Sequence, residues 1–312
     1  MQSESPTAAG GAGRTLVVLN PAAGHDDPER LRARIVRAFD ALDAPFEIAV
    51  TQYPGHATAL AREAVRDGHR AVAAVGGDGT LAEVATGLAG SSVPLAIVPR
   101  GTANQVASNL GIPARLERAI HVAVHGVPTA MDLGTIGDRY FALVAGAGFD
   151  AAVMVAATRN LKERFGFGAY VIAAVKEALN ARPARFSLVI DDREPIEVDA
   201  VSVLIANTGE LFAGFLPFTV PLAPRPTGSW HDGFLDVVVL APDGPTGFAD
   251  VLWKALRRQF HGNDHLIHFQ ARSVTVDTDR PVPTQIDGDP TGTTPITAAV
   301  APGALHVLRP RQ

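Results

Sequence analysis

The chain of 312 residues has no cysteine, so it contains neither disulfide bonds nor thiolate metal sites. It also lacks an apolar run of about 18 residues, the length that a helix needs to span a bilayer. Positive charge is not in excess, since 27 Lys and Arg residues stand against 32 Asp and Glu. Because nucleic-acid binding requires a basic face, this balance argues against a nucleic-acid partner.

The beginning of the chain shows no basic and apolar segments of a secretory signal, so we expect residues 1–13 to form a disordered lead. Apolar residues make up 47% of the chain, enough for a large core. Since 312 residues exceed the usual size of a single core, two domains are the default expectation. We expect a cytoplasmic protein whose membrane contact, if it has one, is peripheral and on the inner face.

The first part of the chain alternates between short strand-like and helical patterns. Strand-like runs occupy residues 15–19, 46–50, 71–75 and 95–98, and helical patterns occupy 29–42, 57–66 and 81–88. This alternation predicts a parallel sheet with helices on both faces, whose ligands bind at the carboxyl ends of the strands. We expect this α/β domain to cover residues 14–128; whether the last strand of the chain returns to it stays open.

From residue 129 onward the strand-like runs dominate and predict an all-β second domain, a β-sandwich, over residues 129–312. The runs lie at 130–136, 140–145, 186–190, 196–206, 235–240, 273–277, 297–300 and 305–308. Two helical segments, 168–180 and 246–260, interrupt them. The fold class predicted from the sequence is therefore α/β plus all-β.

The most informative motif is Gly-Gly-Asp-Gly-Thr at residues 76–80, between a buried strand and a helix. Glycines let a backbone approach its ligand closely, and a helix N-terminus offers N–H donors to an anion. Asp78 adds a carboxylate that can share Mg²⁺ with a phosphate. The structural interpretation is a capping box of Thr80 and Glu83. The loop is neither a Walker A nor a dinucleotide motif, and it predicts a metal-bound nucleotide.

Three further loops follow the other predicted strands. They are Asn20-Pro21-Ala22-Ala23-Gly24, residues 51–57 beginning at Thr51, and residues 99–104 with Thr102 and Asn104. Thr102 and Gln105 match a second capping box. Any one loop alone is typical of a turn, but four at equivalent ends of one sheet predict a binding cleft.

Two Asp-Gly pairs in the second domain, Asp232-Gly233 and Asp287-Gly288, are first of all signatures of hairpin turns. A functional interpretation depends on the whole set of motifs. That set is Asn20-Pro21-x-x-Gly24, Thr51-x-x-x-Gly55-His56-Ala57, residues 76–80 with Glu83, Gly101-Thr102-x-Asn104, Gly148-Phe149-Asp150, Asn207, Asp232-Gly233-x-Leu235 and Asp287-Gly288-Asp289. Together, in this order, they resemble the diacylglycerol kinase catalytic superfamily, specifically the soluble bacterial lipid kinases related to sphingosine kinases.

The resemblance implies an ATP-dependent lipid kinase that uses Mg²⁺ and transfers the γ-phosphoryl group to the hydroxyl of diacylglycerol or a similar lipid alcohol at a membrane surface. The residues implied to bind ATP are Asn20, Pro21, Ala22, Ala23, Gly24, Thr51, Gly76, Gly77, Asp78, Gly79, Thr80, Glu83, Thr102 and Asn104. Asp287 is implied as general base, with Asp78 and Asp289 as further catalytic residues. A structural Mg²⁺ is implied at Asp232, with backbone oxygens of Ser229 and Phe234.

Several positions depart from the pattern of that superfamily. Asp289 stands where a Glu is usual, Ala82 and Thr86 replace Asn, and Gln105 replaces Asp. Two alternatives therefore stay open: a kinase of a soluble acceptor such as NAD, and a non-catalytic nucleotide- or lipid-binding protein. Basic and aromatic residues mix at 159–167 and 253–261, which fits a lipid-facing surface or a solvated helix face. A homodimer also stays open.

Overall fold

The computed structural model describes residues 13–24, 27–156, 182–207, 210–211, 220–221, 230–244, 247, 250 and 265–311. These residues divide into two compact units, Met1–Ala130 with Leu305–Gln312 and Met131–Ala304. The helical segment expected at 168–180, nearly all of that at 246–260, and both basic and aromatic stretches lie outside the described residues, as does Ser229.

The first unit is built on a parallel sheet. Its strands are β1 (Thr15–Leu19), β2 (Phe46–Val50), β3 (Ala71–Gly76) and β4 (Leu95–Pro99), in the order β2-β1-β3-β4. The end of β18 (Ile296–Arg309) lies beside β4, where Val307 pairs with Leu95. Every residue of β1, β3 and β4 is buried, as expected for strands with both faces covered.

Among the described residues of the first unit, five helices cover this sheet: α1 (Pro28–Asp40), α2 (His56–Arg66), α3 (Asp78–Leu88), α4 (Gln105–Asn109) and α5 (Leu116–His125). The first begins where the Asp27 carboxylate caps the N–H of Arg30, and it buries an apolar stripe that includes Ile35. Helix α1 contacts α5, and α2 contacts α3, which gives a layer on each face. The α/β prediction is confirmed.

Strand order places a topological switch point between β1 and β3. The chain passes from β1 to β2 on one side and then continues through β3 to β4 on the other. Ligands of doubly wound sheets bind outside the carboxyl ends of the strands that flank such a point. The loops after β1 and β3 therefore lie where a ligand of such a sheet would bind.

The second unit contains an antiparallel six-stranded sheet in the order β14-β13-β10-β7-β16-β17. These strands are β14 (Leu266–Ala271), β13 (Leu235–Leu240), β10 (Ser202–Ala206), β7 (Val144–Gly148), β16 (Pro283–Ile286) and β17 (Asp289–Thr293). A second layer pairs the beginning of β18 with β15 (Ser273–Thr278), followed by β8 (Ala184–Ile190) and β9 (Ile196–Ala200). The remaining elements are β5 (Val127–Ile136), β6 (Arg139–Phe141), α6 (Phe149–Ala156), β11 (Glu210–Leu211) and β12 (Val220–Pro221).

The two layers of the second unit enclose one apolar core. Val203 and Val237 of the six-stranded sheet pack in the same cluster as Phe186 and Val276 of the other layer. Alternate residues of each strand point into this cluster, which is the pattern of two sheets packed face to face. The predicted β-sandwich is confirmed.

Two strand predictions in this unit were too long. The run at 140–145 is broken at Ala142 and Leu143, whose backbone N–H groups donate to the Asp287 carboxylate instead of to a neighbouring strand. The run at 196–206 is broken at Val201, because β9 pairs with β8 in one layer whereas β10 pairs with β7 and β13 in the other. In both places partners distant in sequence determine the break, so local hydrophobicity could not show it.

Candidate functional site

Asn20 bridges the two loops that flank the switch point. Its Nδ2 donates to Thr80 Oγ1 over 2.9 Å, and its Oδ1 accepts from the N–H of Ala22 over 3.0 Å. Thr80 itself is buried, with 7% of its surface exposed. Both ends of the Asn20 amide are thus used to fix the loop after β1 against the start of α3.

Glycines allow three strand-end loops to pack directly on one another. A Cβ on Gly101 would lie 2.5 Å from Gly77 Cα, and one on Gly24, whose φ is +82°, would lie 2.7 Å from the carbonyl oxygen of Arg100. A Cβ on Gly76 would lie 2.5 Å from Thr80 Oγ1. Since real Cβ contacts are never this short, no other residue fits at these positions without movement of the loops.

Gly79 has no such packing explanation. It is exposed in the first turn of α3, its φ is not positive, and a Cβ there would meet no heavy atom within 4 Å. Neither backbone conformation nor packing within the unit therefore requires glycine at this position. Close approach of a ligand to the backbone would require it, as in other phosphate-binding loops.

Asp78 directs its carboxylate toward the loop after β4. Its Oδ1 accepts from the N–H of Val106 over 3.3 Å. Burial raises the pKa of this carboxyl, while backbone hydrogen bonds from residues 104–106 act in the opposite direction. The carboxylate therefore ties the glycine loop to the beginning of α4.

Both predicted capping boxes are wrong. Helix α3 begins at Asp78, so Thr80 lies inside its first turn and accepts from Asn20. Glu83 caps another helix, because its Oε2 accepts from the N–H of Ala57 in α2 over 3.1 Å. The second predicted box paired Thr102 with Gln105. Helix α4 begins at Gln105 and its N-cap is Asn104, so Thr102 lies outside the helix.

The loop after β4 is closed by Asn104, which adopts a φ of +48°. Its Oδ1 accepts from the N–H of Gly101 over 2.8 Å, and its Nδ2 donates to the carbonyl of the same residue over 2.7 Å. Thr102, between Gly101 and Asn104, is exposed.

Thr51 directly follows β2, and its N–H donates to the carbonyl of Leu19 at the end of β1. Residues 20–24, 76–80 and 101–104 are thus brought together.

In the second unit, Asp287 and Gly288 are the central residues of a two-residue hairpin turn. Their φ angles are +48° and +89°, and the flanking Ile286 and Asp289 pair directly. The Asp287 carboxylate accepts three backbone N–H groups of residues 142–144, each over 2.9 Å. A carboxylate offers about four acceptor positions, and the described contacts use three of them. Asp287 therefore anchors the turn on the backbone of residues 142–144. Asp289 is exposed.

Sequence reasoning missed Asp132, a carboxylate that is only 3% exposed. Its Oδ1 accepts from the N–H of Gly303 and its Oδ2 from that of Gly233, each over 2.7 Å. Asn207 Nδ2 donates to its carbonyl over 2.7 Å. The signal was present in the sequence as one charged residue within the apolar run Met131-Asp132-Leu133.

The implied structural metal site includes Asp232, which is exposed, and Phe234, whose N–H donates to Asp232 Oδ1 over 3.0 Å. The third residue, Ser229, lies outside the described part. Among the residues that the structure describes, no group of three or more His, Asp or Glu side chains is placed to hold a metal ion. The ligand set implied at Asp232 stays a prediction.

Comparison with known families assigns both halves of the chain. The diacylglycerol kinase catalytic domain matches residues 14–136, and the YegS C-terminal NAD kinase beta sandwich-like domain matches residues 143–309. The chain belongs to the diacylglycerol kinase family. It is therefore a kinase, that is, a phosphotransferase, of the group to which YegS-like proteins also belong.

Named members of this family are similar over most of their length. A probable lipid kinase YegS-like of Chromohalobacter salexigens is 32% identical over 84% of this chain and 83% of its own length. A diacylglycerol kinase of Mycobacterium tuberculosis is 31% identical over 81% of each chain. A solved diacylglycerol kinase structure from Bacillus anthracis, 25% identical, matches with a TM-score of 0.77 over 96% of this chain and 97% of that one.

None of the helices in the described part of the chain combines the length and the apolar character required to cross a bilayer.

Proposed function

We propose that this kinase transfers the γ-phosphoryl group of ATP to the hydroxyl of a lipid alcohol, with diacylglycerol as the first candidate. One observation carries the nucleotide half of the proposal: glycine-containing loops at the switch point of a parallel sheet, fixed by the contact between Asn20 and Thr80. The names of the relatives support the lipid half, because those proteins are called diacylglycerol kinase or lipid kinase.

The residues of the glycine loop fit a triphosphate. Gly79 leaves open space beside the backbone at the start of α3, where helix N–H groups favour an anion. Asp78 is the carboxylate of this loop, and Mg²⁺ usually binds through one or two carboxylates together with substrate phosphates. When bound, Mg²⁺ would neutralise charge on the phosphates. We therefore keep residues 20–24, 51, 76–80, 83, 102 and 104 as the proposed nucleotide site.

A general base is needed because the attacking hydroxyl loses its proton as the new O–P bond forms and the bond from the γ-phosphorus to the ADP oxygen breaks. The family resemblance implied Asp287 for this role. Its carboxylate is engaged by three backbone donors, whereas the carboxylate of Asp289, two residues later, is exposed. We assign the proton acceptor to Asp289 and the anchoring of the turn to Asp287.

The acceptor alcohol is a lipid in this proposal, reached by peripheral contact with a membrane surface. The exchange of the usual Glu for Asp289 shortens the carboxylate by one methylene. We expect this to change the rate more than the reaction type, since phosphoryl transfer depends chiefly on positioning and charge neutralisation.

The test is transfer of labelled phosphate from ATP with Mg²⁺ to diacylglycerol, monoacylglycerol, a sphingoid base or phosphatidylglycerol in mixed micelles, with NAD as a soluble acceptor. We expect labelled lipid. Labelled NAD would replace the lipid by a soluble acceptor, and ATP binding without any labelled product would favour a non-catalytic protein.

The nucleotide half is tested by Gly79→Leu, which adds a side chain to the open space of the loop. Leucine is a better helix former than glycine by roughly 0.8 kcal/mol, so the melting temperature should stay equal or rise. ATP affinity should fall by about tenfold or more, because the leucine side chain would occupy the space through which the phosphates approach the backbone. Ala59→Leu, at an exposed position of α2, adds similar bulk away from the loop and should leave ATP binding unchanged. Unchanged ATP affinity in Gly79→Leu would place the nucleotide elsewhere.

A further inference from the structure

The six-stranded sheet of the second unit carries an acidic side chain that the proposed function has not used. Asp150, in the first turn of α6, extends over β7, and a Cβ on Gly146 would lie 1.8 Å from its Oδ2. Gly146 is therefore glycine because this carboxyl group occupies the space above it. Helix α6 packs on β16 and β17, the two strands joined by the turn of Asp287 and Gly288.

Two buried side chains hold this carboxyl group. Ser202 Oγ lies 2.5 Å from Asp150 Oδ1, and Gln285 Nε2 donates to Oδ2 over 3.1 Å. Ser202 and Gln285 are 1% and 2% exposed. Burial of Asp150 raises the pKa of its carboxyl group, and these two hydrogen bonds act in the opposite direction.

Gln285 connects Asp150 to the turn. While its Nε2 donates to the carboxyl group, its Oε1 accepts from the N–H of Gly288 over 2.7 Å. The reversed amide would place its NH₂ against a backbone N–H and its oxygen against a carboxyl oxygen, so the orientation is fixed by both partners. The strand is also irregular here, because the pairing of β16 with β17 shifts register between Thr284 and Gln285.

We propose that Gln285 and Asp150 are positioning residues, which hold the N–H of Gly288 and thereby direct the carboxylate of Asp289. The turn is then fixed at two points, by Asp287 on the backbone of residues 142–144 and by Gln285 on Gly288. A catalytic group on a rigid, supported turn keeps a productive geometry, and a misplacement of about 1 Å can cost a hundredfold in rate. This inference rests on the proposed phosphotransfer for its kinetic consequence.

The decisive variant is Gln285→Met, which keeps the volume of the side chain and removes both hydrogen bonds. We expect kcat for the lipid to fall roughly ten- to hundredfold, with the KM for ATP unchanged. Gln270→Met is the matched control, because Gln270 lies on β14 of the same sheet and its Nε2 donates to another buried carboxylate, Asp236, over 3.3 Å. An equal loss of kcat in both variants would overturn the inference.

Variants at Asp150 separate positioning from general stability. Asp150→Asn has the same shape and can still accept from Gln285 and donate to Ser202, so we expect it to keep most of the activity. Asp150→Leu removes both contacts and should match Gln285→Met in kcat. If the two Asp150 variants lose equal activity, the hydrogen-bond relay is not what positions the turn.

A readout without catalysis distinguishes failure of this inference from failure of the proposed function. Hydrogen exchange of the Gly288 amide should be faster in Gln285→Met than in the wild type, whereas Gln270→Met should leave it unchanged. Unchanged exchange in Gln285→Met would refute the inference even if lipid phosphorylation is found. Faster exchange in a protein without transfer to any acceptor would support the relay and reject the proposed function.

Discussion

Two turns of the second unit share positive φ angles at their central residues and have different surroundings. Asp191 and Asp192 follow β8 with φ angles of +49° and +57°, much like Asp287 and Gly288. Asp191 Oδ1 accepts from the N–H groups of Arg272 and Ser273 over 2.7 and 2.9 Å, just as Asp287 accepts three such groups. In both turns an aspartate therefore anchors the turn on backbone N–H groups at the beginning of another strand.

The difference lies in what accompanies each anchor. The turn at Asp287 is followed by the exposed Asp289. Gln285 accepts from the N–H of Gly288 in this turn and donates to the carboxyl group of Asp150. At the other turn, Asp192 is exposed, and the N–H of Arg193 donates to the carbonyl of Ile190. We therefore expect the carboxylate after the anchor and the polar contacts beneath the turn, more than the anchor itself, to distinguish the turn with the proposed catalytic role.

The largest expected effect separates the exposed aspartates of the two turns. Asp289→Asn removes the proposed proton acceptor, and general bases typically contribute about 10²- to 10⁴-fold, so kcat for lipid phosphorylation should fall by that factor. ATP binding and melting temperature should not change. Asp192→Asn, the same chemical change at the other turn, should keep full activity. If Asp289→Asn is fully active and Asp287→Asn is not, the base is Asp287.

The anchors themselves should differ in stability. Asp287→Ala leaves three backbone N–H groups without their acceptor and Asp191→Ala leaves two; at roughly 1 kcal/mol for each, the losses are about 3 and about 2 kcal/mol. Both changes place alanine at a positive φ, so that cost cancels in the comparison. Urea denaturation measures the two free energies of unfolding. A larger loss at Asp191 would contradict the count of donors as the determinant.

The same comparison shows what local sequence could reveal. The periodicity of apolar residues predicted the parallel sheet and the sandwich, and the glycine loops were recognised because a strand, a glycine motif and a helix are adjacent in the chain. The position of Asp-Gly in a hairpin also followed from local turn chemistry. These features depend on neighbours within a few residues.

Contacts over long separations could not be predicted. Asp287 meets Ala142 across 145 positions, and Asn20 meets Thr80 across 60, so the break between β6 and β7 and the failed capping box had no local signal. Glu83 matched a cap by spacing alone and instead accepts from Ala57. Side-chain partners of this kind are set by tertiary packing.

The polar support beneath the turn at Asp287 should make stability depend on pH. Burial raises the pKa of the Asp150 carboxyl above its ordinary value of 3.8, so the folded protein binds this proton more tightly than the unfolded chain does. Stability is then fully present below that value and declines as pH rises through the raised pKa. Asp150→Asn should lose this decline. Its free energy of unfolding relative to wild type should therefore improve from pH 4 to pH 8.

Asp192→Asn is the control for removal of one negative charge, since it lies at the other turn and is exposed. Its stability relative to wild type should show no such trend with pH. A parallel trend in both variants would assign the effect to net charge instead of to the buried carboxyl group.

The smallest expected effect concerns the second residue of each turn. Gly288 has a φ of +89° and Asp192 one of +57°, so the first turn needs glycine more strongly. Gly288→Asn should cost about 1 kcal/mol or less, because asparagine tolerates positive φ better than most residues. Asp192→Gly should change stability by only a few tenths of a kcal/mol, by the same reasoning. Because the N–H of Gly288 is kept in the variant and still faces Gln285, kcat should hardly change. A large loss of kcat with little loss of stability would mean that a side chain at position 288 interferes directly with the acceptor alcohol.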